Sequence, residues 1–254
     1  MARIFVTGSA DGLGLMAAKK LVSQGHQVVL HARNEKRAVD AMHALQGAEK
    51  VLIADLSDIG ETKRLADEVN SLGHFDAVIQ NAGLYQVSNL ELSKDGFPLL
   101  IAVNVLAPYL LTSLIHQPER LIYLSSGMHM QGDPTMRGLN QGKPKISYSD
   151  SKLYDLILAK AVARKWPGVY SNAVDPGWVP TKMGGPGAPD NLEKGFETQA
   201  WLAVSNDEKV KVSGRYFHHQ KEDHYLKNAD DTAAQEALLA FCEKATGVAF
   251  PNKG

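Results

Sequence analysis

The sequence has a single cysteine, Cys242, among its 254 residues. One thiol cannot form a disulfide within the chain, so a small disulfide-stapled scaffold is excluded and nothing favours an oxidising compartment. The surrounding residues, LLAFCEK, have the pattern of an apolar helix face. Because free cysteines in proteins are mostly buried, this pattern predicts a buried thiol.

An excess of charge of either sign is also lacking, since 27 Lys and Arg balance 28 Asp and Glu. Without a dense Lys/Arg cluster, we expect no nucleic-acid partner and no binding to an anionic membrane. The most apolar stretch, PLLIAVNVLAPYLLTSLI, is interrupted by Asn104 and Pro108. This favours a buried helix over a membrane span, which needs about 20 apolar residues. No signal-peptide pattern precedes the first strand, so we expect a soluble cytoplasmic protein.

Short runs rich in β-branched residues alternate with segments of helical periodicity along the chain, without a linker-like stretch. The predicted strands are RIFVTG, HQVVLHA, KVLIAD, FDAVIQNAG, RLIYLSS, VYSNAVDPG and GRYFHH. The predicted helices span residues 13–24, 35–45, 58–72, 98–116 and 148–165. This alternation predicts an α/β single-domain Rossmann fold, a doubly wound parallel sheet of about seven strands with helices on both faces. Ligands of such a sheet bind at the carboxyl ends of the strands.

One segment departs from this alternation within the single predicted domain, residues 1–254. Residues 182–200 are rich in Gly and Pro and then become helical. We expect this segment to form a lid on the substrate side of the sheet.

The first predicted strand ends in TGSADGLG, so that three glycines stand where a strand turns into a helix. Gly8 permits a tight turn, while Gly12 and Gly14 let the backbone approach a pyrophosphate closely. The free N–H groups and the positive end of the helix then attract the anion. The loop predicts a dinucleotide site formed by Gly8, Ser9, Asp11, Gly12, Leu13 and Gly14.

Tyr148 and Lys152 lie four residues apart in a predicted helix and therefore on one face. An ammonium about 4 Å from the phenol would favour the phenolate by about 4 kcal/mol at an effective dielectric constant of 20, or about three pKa units. We therefore expect the phenol, whose ordinary pKa is about 10, to titrate near working pH and to act as a general acid and base. A solvated surface pair is the alternative for this spacing alone.

Four motifs occur in a fixed order: TGSADGLG, QNAG after the fourth strand, the Tyr-x-x-x-Lys pair, and DPGWVPT after the sixth strand. In this combination the chain resembles the short-chain dehydrogenase/reductase family over residues 7–181, while residues 182–254 match only in general layout. The segment LSSGMHMQGDP and the interval of 22 residues from Ser126 to Tyr148 resemble the retinol-dehydrogenase-like and ketoreductase-like branches.

The resemblance implies four catalytic residues, Asn104, Ser126, Tyr148 and Lys152, and an NAD(P)-dependent reaction at CH–OH or C=O groups. In this reaction hydride passes from NADPH to a carbonyl carbon, Ser126 polarises the oxygen, and Tyr148 delivers the proton. Ser125 is the alternative to Ser126. Asn104 would hold a water that links Lys152 to solvent, or would otherwise be a core residue bonded to the backbone.

The resemblance also bears on the choice of cofactor. NAD-binding members commonly carry an acidic residue at the end of the second strand, where this chain has Ala32 followed by Arg33, with Arg37 one helical turn on. A carboxylate would repel the 2′-phosphate of NADP, whereas an arginine can bind it with two hydrogen bonds. We therefore expect NADP(H) to be preferred and NAD(H) to be possible, unless both arginines only solvate a helix start.

Further cofactor residues follow from the same resemblance. Asp55 resembles the family's adenine-contacting Asp, although it could instead cap a helix, a role also open to Ser57 and Asp58. Gln80 replaces the family's usual first Asn before the NAG segment, which packs on the adenosine ribose, and the DPGWVPT segment binds the nicotinamide carboxamide. The implied set is completed by Leu56, Asn81, Ala82, Gly83, Tyr148, Lys152, Pro176, Gly177, Val179 and Thr181.

A substrate pocket is expected from apolar residues that follow the fourth, fifth and sixth strands. It would suit a hydrophobic ketone, aldehyde or alcohol, although each residue could equally belong to the core. These residues are Leu84, Tyr85, Met128, His129, Trp178 and Met183. The polar insert MQGDPTMRGLNQGKPK predicts a surface loop over this pocket.

A metal site is not expected. His218, His219 and His224 lie near acidic residues. However, adjacent histidines on a strand point to opposite faces of the sheet, so they do not converge on one ion.

Two other functions and one partner remain open. An epimerase or dehydratase on the same fold uses a similar Tyr/Lys pair but usually has a larger carboxy-terminal region. A sensor that binds NADP(H) without turnover typically lacks the Tyr or the Lys, and both are present here. Relatives often pair through the helices that bear Asn104 and Tyr148, so a homodimer is possible unless the insert before Tyr148 blocks it.

Overall fold

The computed structural model describes residues 1–88, 90–140 and 144–251 of the chain. The strands are β1 (Arg3–Val6), β2 (Gln27–Ala32), β3 (Lys50–Ile53), β4 (Ala77–Gln80), β5 (Arg120–Leu124), β6 (Tyr170–Asp175), β7 (Tyr216–His218) and β8 (Lys221–Glu222). The α-helices are α1 (Gly12–Ser23), α2 (Glu35–Ala44), α3 (Ile59–Ser71), α4 (Leu99–Ile101), α5 (Ala107–Leu114), α6 (Tyr148–Lys165), α7 (Leu192–Val204) and α8 (Thr232–Thr246). Short 3-10 helices span Gly127–Gln131, Glu208–Val210 and Lys227–Asp230.

The strands form one sheet in the order β3-β2-β1-β4-β5-β6-β7-β8. Neighbouring strands from β3 to β7 are parallel, and β8 is antiparallel to β7. The chain adds strands on one side from β1 to β3 and then continues on the other side with β4. The strand order therefore reverses between β1 and β4, and the crevice at their carboxyl ends is where open α/β sheets bind ligands.

The sheet confirms the doubly wound prediction but has eight strands where the sequence predicts about seven. The additional strand, Lys221–Glu222, consists of two charged residues at the edge of the sheet. It has no alternation of apolar and polar residues, so no sequence pattern predicts it. A turn at His219 and Gln220, both with positive φ, connects it to β7.

The strands are buried on both faces, which explains their nearly continuous apolar sequences. Along β1, Phe5 packs into one core cluster, while Ile4 and Val6 pack into the other on the opposite face. This alternation follows from the two-residue period of a strand.

The helices form two layers over these faces. Helices α1, α2 and α7 cover one face, and α3, α5, α6 and α8 cover the other. Cys242 on α8 is buried in the second layer, which confirms the predicted buried thiol.

The predicted helix over residues 98–116 is helical but not regular. A π-helical turn, Ala102–Leu106, joins α4 to α5 and contains Asn104. Pro108 has no N–H to donate to the preceding turn, which favours an irregular, wider turn at this place.

The start of α6 is fixed by a reciprocal cap. The Ser147 hydroxyl accepts from the backbone N–H of Asp150, and the Asp150 carboxylate accepts from the backbone N–H of Ser147. This capping box makes Tyr148 the first helical residue and directs it to the carboxyl end of the sheet. Within the insert before this helix, residues 141–143 lie outside the described residues, so the predicted surface loop is described only in part.

Candidate active site

A cavity of about 540 Å³ lies at the carboxyl ends of the strands, along the crevice between β1 and β4. Its wall combines the glycine loop, the ends of β2 and β3, the segment after β4, and the first turns of α6. The predicted cofactor residues in this wall are Gly8, Asp11, Gly12, Leu13, Arg33, Arg37, Asp55, Leu56, Asn81, Ala82, Gly83, Tyr148, Lys152, Pro176 and Thr181.

Four predicted cofactor residues lie outside the wall. The buried Ser9 donates its hydroxyl proton to the carbonyl of Val6, 2.7 Å away, and so holds the loop together. The others, Gly14, Gly177 and Val179, pack against neighbouring residues. These residues therefore support the shape of the site rather than form its surface.

The glycine loop needs its glycines for two different reasons. Gly8 and Gly12 have φ of 60° and 55°, in the left-handed region that side chains disfavour. Gly14 has an ordinary φ, but a Cβ there would lie 2.4 Å from Nδ2 of Asn81. The loop and the residue after β4 are therefore in direct contact.

Asn81 and Thr7 join the glycine loop to the end of β4. Nδ2 of Asn81 donates to the carbonyls of Thr7 and Gly8 at 2.9 and 3.1 Å. Oγ1 of Thr7 accepts from the backbone N–H groups of Asn81 and Ala82 at 2.9 and 3.0 Å. These bonds fix both sides of the crevice relative to each other.

The donor groups of the loop suit an anion. Asp11 is the N-cap residue of α1 but makes no side-chain cap, and Gly12 and Leu13 line the cavity. Among the described residues, the N–H groups of Gly12 and Leu13 have no protein acceptor. An uncapped helix N-terminus with free N–H groups is a site for phosphate, so these residues fit the pyrophosphate of a dinucleotide.

His31 is a residue of this site that the sequence analysis missed. It is buried at the end of β2, and its Nδ1 accepts a hydrogen bond of 2.9 Å from the backbone N–H of Gly8. Its Nε2 must then carry the proton and donate to the carbonyl of Ala54, 2.9 Å away. Burial lowers the pKa of His31 to about 4 against smaller opposing effects of Ala54 and Asp55, so the ring is neutral.

Charged side chains gather at the end of the cavity near β2. Arg33 is exposed, and Arg37 lies 2.5 Å from Oδ2 of Asp11. Lys182, from the segment after β6, reaches the same oxygen at 3.1 Å. Partial burial disfavours the charge of Asp11, but Arg37 and Lys182 outweigh it and hold the pKa of this carboxyl below its usual value. With Asp55 from the end of β3, three cations face two carboxylates, which leaves this end of the cavity positive.

Asp55 lies in the cavity wall and does not cap α3. Its carboxylate accepts from the backbone N–H and the hydroxyl of Ser57, whereas Asp58 is the N-cap residue that accepts from Glu61. The alternative role of a helix cap therefore belongs to Asp58.

Tyr148 and Lys152 lie together in the cavity wall. Nζ of Lys152 is 5.7 Å from the centroid of the Tyr148 ring. The ring of Tyr85 packs edge-on against Tyr148, with centroids 4.7 Å apart. The i, i+4 spacing therefore brings the phenol and the ammonium to the same cavity, as the sequence predicts.

The prediction that the Tyr148 phenol titrates near working pH is wrong. Burial raises the pKa of Tyr148 above its ordinary value of 10.0, and the charge of Lys152 only partly opposes this. Asp155, Asp175 and Tyr85 raise it further. The predicted shift assumed an unshared ammonium about 4 Å away at an effective dielectric constant of 20. In the structure the ammonium also pairs with a carboxylate.

That carboxylate belongs to Asp155, a second residue that the sequence analysis missed. Its Oδ2 lies 2.8 Å from Nζ of Lys152, and both side chains are buried. The signal was present in the sequence, because residues 148, 152 and 155 follow the i, i+4, i+7 pattern of one helix face.

The two serines after β5 have different environments. The Ser125 hydroxyl is buried and donates to the carbonyl of Lys152, 2.7 Å away. The half-buried Ser126 accepts from the backbone N–H of Met128 at 3.2 Å, and its own proton has no acceptor among the described residues. Ser125 is the one that lines the cavity, yet Ser126 has the free donor.

Asn104 is buried and fully bonded beside the cavity. Its Oδ1 accepts from the backbone N–H of Leu84 at 2.7 Å, and its Nδ2 donates to the Leu84 carbonyl and to the Ser151 hydroxyl, both at 3.0 Å. A Cβ added at Gly83 would lie 3.5 Å from Nζ of Lys152 and 3.6 Å from Oδ1 of Asn104. Asn104 therefore stands near Lys152 and also fixes the segment after β4.

The residues predicted for the substrate pocket are only partly brought together. Leu84 and Met183 line the cavity, and Tyr85 packs against Tyr148. Met128 and Trp178 are exposed outside the wall. His129 differs most from the expectation, because it is fully buried, pairs through Nδ1 with the Ser126 carbonyl, and accepts from the N–H of Leu226. His129 thus ties the 3-10 helix after β5 to the carboxy-terminal segment.

The described part of the chain offers neither a metal site nor a membrane span. No group of three or more His, Cys, Asp or Glu side chains in residues 1–88, 90–140 and 144–251 is arranged to hold a metal ion. Within the same residues, every helix is too short or too polar to cross a membrane.

Comparison with known proteins places the chain in a family. Residues 2–191 match the family model described as short chain dehydrogenase. An uncharacterized oxidoreductase of Emericella nidulans is 44% identical over 99% of this chain and 100% of its own length. Human retinol dehydrogenase 14 is 27% identical over 96% of this chain and 86% of its own length.

A solved structure shows the same fold. The blue fluorescent protein from a metagenomic library, determined in complex with NADPH, has a TM-score of 0.68 and 21% identity. The match covers 85% of this chain and 95% of that chain. With the family model spanning most of the sequence and the four motifs placed around one cavity, the chain belongs to the short-chain dehydrogenase/reductase family and is an oxidoreductase.

Proposed function

We propose that this oxidoreductase uses NADPH to reduce the carbonyl group of a hydrophobic ketone or aldehyde to an alcohol, or catalyses the reverse reaction. The observation that carries the proposal is the shared cavity. Gly12 and Leu13, whose N–H groups have no protein acceptor in the described part of the chain, lie in the same wall as Tyr148 and Lys152. A dinucleotide whose pyrophosphate is bound by the glycine loop can therefore extend to the Tyr148 phenol within one cavity.

The charges near β2 support NADPH over NADH. Arg33, Arg37 and Lys182 outnumber the carboxylates of Asp11 and Asp55 at that end of the cavity. A 2′-phosphate placed there gains charge-assisted hydrogen bonds, which are about twice as strong as neutral ones. The NADPH complex of the structurally similar blue fluorescent protein is consistent with this choice.

Protein groups would hold the substrate and move its proton. Bound NADPH supplies the hydride that adds to the carbonyl carbon. The free hydroxyl of Ser126 can donate to the developing oxyanion, and Tyr148 can then protonate it. Lys152 stabilises the phenolate that remains, and the phenol recovers its proton from solvent. Leu84 and Met183 give the wall an apolar part that suits a hydrophobic substrate.

The test is NADPH oxidation in the presence of a panel of hydrophobic ketones and aldehydes. We expect turnover of at least one member by the native chain. Tyr148→Phe should lose nearly all turnover while retaining NADPH binding. Quenching of the protein's tryptophan fluorescence measures this binding. Binding of NADPH without turnover of any member would favour a sensor, and full activity of Tyr148→Phe would overturn the mechanism.

A further inference from the structure

An ion pair is buried directly behind the cavity wall. Nζ of Lys152 lies 2.8 Å from Oδ2 of Asp155, and each residue is only 5% exposed. The same ammonium donates to the carbonyl of Leu124 at 2.7 Å. Lys152 lines the cavity, whereas Asp155 does not. The carboxylate therefore acts on the cavity through Lys152.

The hydrogen bonds of the Lys152 ammonium leave one of its donors available. A lysine ammonium has three N–H donors and no acceptor. Asp155 and Leu124 take two of these donors, so one remains for a group in the cavity. Burial disfavours the charge of Lys152, but Asp155 and Tyr148 outweigh it and leave the pKa of Lys152 raised. The lysine is thus a charged donor held in one place.

The carboxylate also changes the field at the phenol. Lys152 favours the phenolate, while Asp155 behind it disfavours the phenolate. The other titratable groups facing Tyr148 are Asp175 at the end of β6, Tyr85 after β4 and Tyr216 on β7. Those facing Asp155 are Lys152 and Tyr123 on β5. No second cation among the described residues appears in this group, so Asp155 opposes the one positive charge beside the phenol.

We infer that Asp155 is a positioning residue whose carboxylate holds the Lys152 ammonium in the cavity wall and balances its charge, so that Tyr148 stays a protonated phenol ready to protonate a carbonyl oxygen. This inference rests on the function proposed above, and it favours carbonyl reduction over alcohol oxidation. During reduction the carbonyl carbon gains the hydride of NADPH, which is oxidised to NADP⁺. The Tyr148 O–H bond breaks, the alcohol O–H bond forms, and the phenolate is left beside Lys152. Reduction needs the protonated phenol at the start, whereas oxidation needs the phenolate.

The test is the titration of Tyr148 in Asp155→Asn, which keeps the shape and removes the charge. Tyrosine labelled with ¹³C at Cζ reports the phenol by NMR, and Tyr148→Phe assigns the signal. We expect the Tyr148 titration to move down by about one pH unit, because Lys152 then acts unopposed. An unchanged or raised titration would overturn the inference.

Two controls separate charge from shape. Asp155→Glu keeps the carboxylate and should leave the titration within about 0.3 pH unit of the native chain. Asp230→Asn removes the carboxylate that lies 2.6 Å from Nζ of Lys160, another buried lysine of α6. This matched loss of an ion pair should leave the Tyr148 titration unchanged. If the Tyr148 titration in Asp230→Asn moved down as far as in Asp155→Asn, loss of any ion pair on α6 would have this effect. That result would overturn the inference.

A double variant keeps the inference testable if Asp155→Asn does not fold. Lys152→Gln with Asp155→Asn replaces the buried ion pair by two amides, a change that proteins often tolerate. Because the pair is nearly neutral in total, we expect the titration to stay within about half a pH unit of the native value. A rise well beyond this would show that the Lys152 charge is not balanced by Asp155.

The readout also separates this inference from the proposed function, because NMR titration needs neither substrate nor turnover. The predicted downward shift without turnover of any carbonyl compound would leave the placement of Asp155 intact and overturn the proposed function. Turnover without the shift would overturn the role of Asp155 alone. If both hold, the rate of carbonyl reduction should fall at lower pH in Asp155→Asn than in the native chain, since the phenol loses its proton earlier.

Discussion

The backbone N–H of Gly8 donates to Nδ1 of His31, 2.9 Å away, and so connects the glycine loop to the end of β2. The opposite ring nitrogen donates to Ala54 just after β3. One buried imidazole therefore holds the ends of three adjacent strands, β1, β2 and β3, in place around the cavity. A proton on Nδ1 would remove the acceptor that Gly8 uses.

This arrangement predicts a loss of stability in acid. Burial lowers the pKa of His31 from 6.5 to about 4, so the folded state resists protonation. The stability from this lowered pKa is fully present above pH 6.5 and is lost as the pH falls towards 4, by about 3 kcal/mol in total. Urea unfolding at pH 7.5, 6.0 and 5.0 measures this loss.

A substitution isolates the histidine. His31→Gln keeps hydrogen-bonding groups but cannot take up a proton, so the stability lost between pH 7.5 and 5.0 should be smaller than in the native chain. His43→Gln, on the exposed side of α2, is the matched control and should show the native loss. Equal losses in all three proteins would contradict the role of His31.

The contact between Gly14 and Asn81 predicts the effect of one methyl group. In Gly14→Ala the new Cβ would lie 2.4 Å from Nδ2 of Asn81 and 2.7 Å from the Gly8 carbonyl. We expect a loss of about 1–3 kcal/mol in the free energy of unfolding and weaker NADPH binding. A Cβ at Gly187 meets no atom within 4 Å, so Gly187→Ala should stay within about 0.5 kcal/mol of the native chain. A neutral Gly14→Ala would show that the crevice is less closely packed than described.

From the exposed Arg33 we predict how a charge reversal changes the preference for NADPH over NADH. Arg33→Asp replaces a cation by an anion where we place the 2′-phosphate, and charge-assisted hydrogen bonds contribute about 1.5–3 kcal/mol. We expect NADPH affinity to fall by about tenfold or more, with NADH affinity equal or improved. Steady-state KM values for both dinucleotides measure this. Lys209→Asp, an exposed charge reversal outside the cavity wall, is the control. NADH used as well as NADPH by the native chain, together with no effect of Arg33→Asp, would refute the preference.

The two serines after β5 predict different losses. Ser126→Ala removes the donor that is free to meet an oxyanion, and kcat should fall by about 10²–10³. Ser125→Ala removes a buried hydrogen bond to the carbonyl of Lys152 and should cost about 1 kcal/mol of stability with a smaller effect on kcat. Rate measurements with saturating NADPH compare the two variants. A larger fall in kcat for Ser125→Ala would assign the donor role to Ser125.

The order of strands and helices could be predicted because each element has its own local pattern. The run from Arg3 to Val6 is apolar enough to be a strand, and the glycines that follow end it. The helix Tyr148–Lys165 ends, as predicted, before Pro167, and its start is fixed by a local cap between Ser147 and Asp150. Motifs at the carboxyl ends of parallel strands must meet at one edge of the sheet, which is why four separate motifs predicted one cavity.

Features that depend on packing between distant elements could not be predicted. His31 gains its role from contacts with the glycine loop and with Ala54, 23 residues away in each case. His129 follows β5 as a pocket residue would, but the carboxy-terminal segment covers it. The acidity of Tyr148 depends on its burial and on Asp155, and no spacing rule gives the burial of a side chain.

Isotope transfer tests the central claim most directly, namely that Tyr148 protonates a carbonyl oxygen beside a dinucleotide held by the glycine loop. NADPH carrying deuterium at the reactive C4 position is incubated with a carbonyl substrate, and the alcohol is analysed by mass spectrometry. We predict one deuterium on the carbinol carbon with the native chain and almost none with Tyr148→Phe, although both bind NADPH. Undeuterated alcohol from the native chain, or full transfer by Tyr148→Phe, would contradict the account.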